Sequence, residues 1–239
     1  GERGRIAGCA RNLAKLGQAV ASDTADHSDG FPAAGISIGK TRLGWDMELA
    51  PYVQSGATNA TSVYDKKQFL KAAAQSFQCP SDTLPHDGAT RSYAMAACSM
   101  LPEDLLSDKW PPRPESKTGI GAWWDKTTVH NLLDPKTAPD AMLNPELLPR
   151  LKSSIVLQPA NTLLVTELFA TNNALGSLSR TRVWNLADQR GALDADSNYA
   201  HFRKLNYLMA DGHVELLSGL QSKGIAREPI GIWTIKAGD

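Results

Sequence analysis

Residues 201–217 (HFRKLNYLMADGHVELL) constrain the fold of this chain more than any other stretch. Two apolar-rich runs, 205–210 and 213–217, flank the dipeptide Asp211-Gly212. Asp-Gly favours a two-residue type I′ turn, which needs positive φ at both central residues, so the spacing predicts a β-hairpin. With that turn, Ala210 faces His213, Met209 faces Val214, Leu208 faces Glu215 and Tyr207 faces Leu216. One face then carries Leu205, Tyr207, Met209, Val214 and Leu216 and reads as the core face. The other carries Asn206, Leu208, His213, Glu215 and Leu217 and reads as mixed.

Around this hairpin the chain alternates short helices and strands. Residues 2–22 read as a helix, because Ile6, Cys9, Leu13, Leu16 and Val20 recur at three- and four-residue steps. Segment 23–30 (DTADHSDG) ends that helix, and Phe31-Pro32 begins an extended stretch. Residues 44–52 predict a short helix stopping near Pro51. Residues 65–76 predict another, with Asp65 as its N-cap. Strands are expected at 92–95, 163–166, 183–186 and, last in the chain, 231–235. Eight of the 14 prolines fall between Pro102 and Pro149, a density that excludes long helices and central strands there. Because Trp110, Trp123 and Trp124 need burial, 101–150 reads as an ordered, irregular insertion rather than a linker. The expectation is one α+β domain over 1–239.

Composition narrows the functional classes. Lys plus Arg and Asp plus Glu number 25 each, and this balance argues against a nucleic-acid partner. No run of 18 apolar residues occurs within the chain. Three cysteines, Cys9, Cys79 and Cys98, show no Cys-x-x-Cys spacing. They allow one disulfide with one thiol left over, or three buried thiols.

Two catalytic look-alikes lie in 34–41 (AGISIGKT). Gly35, Ser37 and Gly39 fit a nucleophile elbow, but that needs a strand–turn–helix context. Gly39-Lys40-Thr41 mimics the end of a phosphate-binding loop whose first glycine would have to be residue 34, an alanine. Neither is expected to function, and no catalytic residues are assigned. His27, His86 and His130 fall in expected loops. His201, Asp211, His213 and Glu215 would suit zinc, since His213 and Glu215 share a strand face beside Asp211 at the turn. Structural roles account for the same four residues, so no metal or other cofactor is expected.

Several segments resemble one family, bacterial prepilin-type, pseudopilin-like proteins with an H-x9-DG signature. His201 stands nine residues before Asp211-Gly212. The stretch Cys9, Asn12, Leu13, Gly17 is similar to the family's segment after its membrane-spanning half-helix. Segment 44–52 resembles its Trp-x-x-x-Leu-x-Pro-Tyr run. Phe77, Cys79, Pro80 and Asp82 resemble its Phe-x-Cys-Pro-Ser-Asp run, and Asn161, Thr162 and Glu167 its Asn-Thr-x4-Glu run. Residues 101–150 lie outside the resemblance, and Cys98 belongs to none of its motifs.

The resemblance implies a type IV pilin-like α+β fold, with an N-terminal helix packed on an antiparallel sheet. It implies a type III signal sequence and about 20 apolar residues upstream of Glu2, enough for a membrane anchor. Processing by a prepilin peptidase would follow, with the remaining domain held in the periplasm or at the cell surface by an inner-membrane anchor. Partners would be other pilin-like subunits and the machinery of type II secretion or a type IV pilus-like assembly. Outside the cytoplasm, a Cys9–Cys79 disulfide is favoured over Cys79–Cys98. Some major pseudopilins bind calcium in a C-terminal loop. Here Asp188, Asp194, Asp196 and Asn198 fit no EF-hand spacing and read as a solvated loop. The alternative function is an envelope-anchored solute- or glycan-binding protein using Trp110, Trp123 and Trp124.

Overall fold

A computed structural model describes residues 1–55, 63–98, 119–133, 135–184, 201–222 and 231–233, with Leu186, Gln189 and Ile235. Trp110 and the acidic cluster Asp188, Asp194, Asp196 and Asn198 lie outside the described residues. Among the described residues the protein is mixed α+β, with an N-terminal helix and two sheets. Among the described residues, no helix is long and apolar enough to cross a membrane.

Helix α1 spans Glu2–Asp26, one turn beyond the expected end. It buries Cys9, Leu13, Leu16 and Val20 of the predicted stripe, leaves Ile6 half-buried, and then buries Asp23 and Thr24. Asp23 and Thr24 are poor helix formers on local grounds, but Asp23 is paired inside the fold. Arg150 Nη1 donates to its Oδ2 at 2.6 Å, so tertiary pairing outweighs propensity. The chain leaves α1 through Ser28 and Asp29, both at positive φ, and Asp29 N–H donates to Thr24 O at 2.9 Å.

His27 follows directly. Its Nδ1 lies 2.7 Å from Asp23 O and 3.1 Å from Asp23 Oδ1. Hydrogen bonding to Asp23 raises its pKa above the ordinary 6.5, against burial and the charge of Arg150. A raised folded pKa means that this contribution is complete below about pH 6.5 and fades as pH rises through the folded value. The denaturation midpoint of His27→Gln should therefore fall below that of the wild type at about pH 5.5, with the gap closing by about pH 9. A gap of constant size across that range would remove the ionic account of His27.

Strands β1 (Gly35–Ile38) and β2 (Thr41–Gly44) form a tight hairpin with Ile38 opposite Thr41. Gly39 supplies positive φ at the first central position, +57°. The look-alike glycines thus build a strand–turn–strand, which leaves Ser37 without a nucleophile elbow. Helix α2 (Trp45–Ser55) runs through Pro51 instead of stopping there. An internal proline costs about 3 kcal/mol, and burial of Trp45, Met47, Leu49, Ala50 and Val53 opposes that cost. Helix α3 (Val63–Ala73) has Asp65 inside its first turn, not at the N-cap, and continues as a 3-10 turn to Phe77.

The larger sheet has the order β6–β3–β5–β7–β8. Its strands are β3 (Tyr93–Ala96), β5 (Leu163–Glu167), β6 (Arg182–Val183), β7 (Lys204–Met209) and β8 (Val214–Ser218). All neighbours are antiparallel except β3 and β6. The smaller sheet is β2–β1–β4, with β4 (Trp123–Asp125) parallel to β1 at its edge. Within the described part of the proline-rich insertion, β4 leads into short helices at Lys126–Leu132 and Ala138–Leu143. Residues of both sheets share one apolar core with α1 and α2. A second cluster covers the opposite face of the larger sheet around Ala94, Leu163, Leu186, Tyr207, Met209 and Trp233.

The β7–β8 hairpin differs from expectation by one residue. Leu208 faces Val214 and Tyr207 faces Glu215, because the loop holds three residues, Ala210, Asp211 and Gly212. Only Gly212 has positive φ, +93°, as in a type I turn closed by a glycine bulge. Contacts from outside the hairpin hold this loop: Ala210 N–H donates to Thr162 O, and Asp211 N–H donates to Pro159 O. Val214 therefore joins Leu208 on the α1 side instead of Tyr207 and Met209. The described part of the expected final strand is not a strand either. Gly231–Trp233 is a 3-10 turn that sets Trp233 edge-on against Tyr207, with ring centroids 6.2 Å apart.

Candidate functional site

β7 is entered through three successive residues at positive φ, His201, Phe202 and Arg203. Non-glycine residues there cost of order 1–3 kcal/mol each, so such a turn needs compensating contacts. Those contacts centre on His201, which is completely buried, while Phe202 points outward. His201 Nε2 lies 2.9 Å from Glu167 Oε1 and 3.6 Å from Cys79 Sγ. Its Nδ1 lies 2.9 Å from Glu2 Oε1. Phe169 packs edge-on to the imidazole.

Each carboxylate beside His201 is itself held. Asn206 N–H donates to Glu167 Oε2 at 2.8 Å, and Asn206 Nδ2 donates to Oε1 at 2.9 Å. Ser81 Oγ donates to Glu2 Oε1 at 2.7 Å, and Arg5 Nε donates to Oε2 at 2.8 Å. Partial burial pushes the Glu2 carboxyl up, but the bonds from Ser81, His201 and Arg5 outweigh it and hold the pKa at about 2. Burial opposes the imidazolium of His201, yet Glu167 and Glu2 together raise its pKa above the ordinary value. The group is a carboxylate–imidazole–carboxylate bridge between β5, β7 and the first turn of α1.

Cys9 and Cys79 form a disulfide beside this bridge, with their Cα atoms 4.7 Å apart. One turn further along α1, Asn12 Nδ2 donates to Gln75 O and Gln78 O, at 3.1 and 2.7 Å. Leu13 is buried in the core, and Gly8 and Gly17 bring α1 close to its neighbours. A Cβ on Gly17 would stand 2.9 Å from Leu208 Cδ1, and one on Gly8 would stand 3.1 Å from Pro80 Cγ. Asp82 accepts from Ser92 Oγ at 2.7 Å, and Ser92 Oγ in turn accepts from Cys79 N–H. Asp82 Oδ2 also lies 3.1 Å from His86 Nε2, so the His86 side chain is buried rather than set in an exposed loop. His130 is exposed, but on a helix.

This geometry accounts for the spacing of the sequence motifs. His201 lies just before β7, and Asp211-Gly212 just after it. Asn161 and Thr162 precede β5 and Glu167 ends it, and β5 runs antiparallel to β7. Pairing the strands places Thr162 at the hairpin tip and Glu167 at His201. The nine intervening residues span one strand with its flanking turns.

The expected metal candidates do not converge. Asp211, His213 and Glu215 meet at the exposed tip, with His213 Nδ1 2.6 Å from Asp211 Oδ1 and Nε2 3.0 Å from Glu215 Oε1. His201 faces the opposite end of β7. The cause is the strand itself, which separates the two ends by its full length. Among the described residues, the one cluster of three or more possible ligands is Cys9, Cys79, Glu167 and His201.

Trp123 and Trp124, the described members of the expected tryptophan surface, pack against the protein itself. Trp124 is buried, and the Arg182 guanidinium lies 4.4 Å from the Trp123 ring centroid and 5.0 Å from that of Trp184. The Trp123 ring also packs over Gly35, where a Cβ would overlap it. The cleft beside Trp124 reaches Glu48 and Arg150 and leaves about 10 Å³, room for a single water.

Two buried ionic networks carry no local sequence signal. Arg91 and Asp46 pair at 2.7 Å with no exposure, and Arg91 also donates to Asn173 Oδ1, Ser177 O and Ser179 O. Arg150 bridges Asp23 and Glu48. Burial raises the Glu48 carboxyl, against Arg150 and Lys66. Cys98 is buried and lies outside the disulfide.

No protein-family model, curated protein or solved structure matches this chain.

Proposed function

We propose that the chain is the globular part of a pseudopilin-like structural subunit with a type IV pilin-like fold. The observation that carries this reading is the fastening of α1 to the sheet. Within its first three turns the helix is tied by the Glu2–His201 contact, the Cys9–Cys79 disulfide and the Asn12 carbonyl clamp. A filament subunit held by its N-terminal helix transmits load from that helix to its globular part, and these ties lie at the load point. Residues His201, Asp211, Gly212, Asn161, Thr162 and Glu167 then serve as fasteners.

On this reading α1 continues an upstream apolar segment that anchors the subunit in the inner membrane, with the globular part in the periplasm or at the cell surface. A prepilin peptidase processes it, and its partners are other pilin-like subunits of a type II secretion or type IV pilus-like assembly. The test is the intact mass and N-terminal sequence of the protein made from its native gene in its own host. A methylated first residue followed by an apolar stretch running into Glu2 is the expected result. A chain cleaved like an ordinary secreted protein, without such a stretch, would overturn the reading.

A further inference from the structure

We propose that reducing the Cys9–Cys79 disulfide converts its surroundings into a zinc site, with Cys9, Cys79, His201 and Glu167 as ligands. One donor atom from each residue lies within 4.8 Å of all the others, and all four residues are buried. Tetrahedral zinc, with bonds of about 2.3 Å to sulfur and about 2.0–2.1 Å to nitrogen or oxygen, sets its ligand atoms about 3.3–3.8 Å apart. His201 Nε2 and Cys79 Sγ already stand at 3.6 Å. Parting of the two sulfurs and a small opening of the 2.9 Å Nε2–Oε1 contact would make room at the centre.

The outer contacts of such a site are also in place. Zinc-bound histidines characteristically donate their second ring N–H to a carboxylate, and Glu2 Oε1 occupies that position at 2.9 Å from Nδ1. Glu167 is oriented by Asn206 through both of its oxygens. Two thiolates, one imidazole and one carboxylate form a donor set suited to zinc rather than calcium. Neither partner of the hairpin-tip histidine, Asp211 or Glu215, takes part.

The chemistry balances with a dithiol as reductant. It donates two electrons and two protons to the disulfide, leaving two cysteine thiols and becoming a cyclic disulfide itself. Zinc then replaces the two thiol protons, and any proton that His201 Nε2 carries, releasing them to solvent. A small-molecule disulfide reverses the exchange: it takes two electrons from the two thiolates and, with two protons from solvent, leaves as two thiols, and the re-formed Cys9–Cys79 bond releases the zinc. The disulfide and the zinc centre are therefore alternative closures of one joint between α1 and the sheet. This holds whether or not the chain is a filament subunit.

The test uses the full chain, reduced with dithiothreitol, desalted under anaerobic conditions and incubated with zinc. Gel filtration followed by metal analysis should give about one zinc per reduced chain and essentially none per oxidised chain. X-ray absorption of the zinc-loaded wild type should show two sulfur and two nitrogen or oxygen neighbours, a readout that requires no variant. His201→Asn and Glu167→Gln should each weaken zinc binding at least 10-fold, roughly the loss expected for a ligand, whereas His213→Gln should not. If reduction loosens the fold, zinc should restore the oxidised protein's circular dichroism. Zinc absent from the reduced chain, bound equally by its urea-unfolded form, or lacking sulfur neighbours would overturn the proposal.

Discussion

Glu167→Ala is expected to lower the unfolding free energy of the oxidised protein by about 3–5 kcal/mol, the usual cost of breaking a buried ion pair. Glu167 is fully buried, and its carboxylate receives three protein contacts: His201 Nε2, Asn206 N–H and Asn206 Nδ2. Truncation strands the two Asn206 donors out of reach of water and leaves His201 with Glu2 alone. The left-handed turn His201–Phe202–Arg203 loses a contact that offsets its backbone strain. The exposed pair His213–Glu215 supplies the control: Glu215→Ala should change stability by no more than about 0.5 kcal/mol. Denaturant titration of both variants measures the contrast. If the two losses were equal, the buried bridge could not be the fastener described above.

The second large effect belongs to the disulfide. Replacing Cys9 and Cys79 together by alanine should cost about 4 kcal/mol, the chain-entropy value for a crosslink spanning 70 residues. The loss should be concentrated in the contact between α1 and the sheet, so amides of α1 should exchange with solvent faster than those of β5. Cys98→Ala serves as the comparison, since Cys98 lies outside the disulfide. A loss below about 1 kcal/mol would mean that Glu2, Asn12 and the apolar face already hold α1 without the covalent tie.

Much of the secondary structure is written in local chemistry, and the departures have physical causes. The apolar stripe of α1 is visible at three- and four-residue steps, but its last turn depends on Arg150, more than 120 residues away. Pro51 reads as a stop signal until the buried face of α2 is counted against it. The hairpin between 205 and 217 is announced by Asp211-Gly212, yet its register is not. β7 is buried on both faces, with Leu208 against α1 and Tyr207 against Trp233, so alternation of apolar residues distinguishes no side. Without that guide, the bonds that the loop's Ala210 and Asp211 N–H groups donate to Thr162 and Pro159 set the pairing.

For the site, the sequence alone determined the recurring punctuation: a histidine nine residues before Asp-Gly, paired motif cysteines, and a glutamate closing an apolar strand. Those follow from turn chemistry and strand length, which act over a few residues. Tertiary structure alone decided that Glu2, Glu167 and His201 meet beside the Cys9–Cys79 pair, and that His213 stays apart from them. No local rule links Glu2 to His201 across 199 positions. The contact exists because antiparallel pairing aligns the ends of β5 and β7 beneath the first turn of α1, where burial makes every unpaired charge costly.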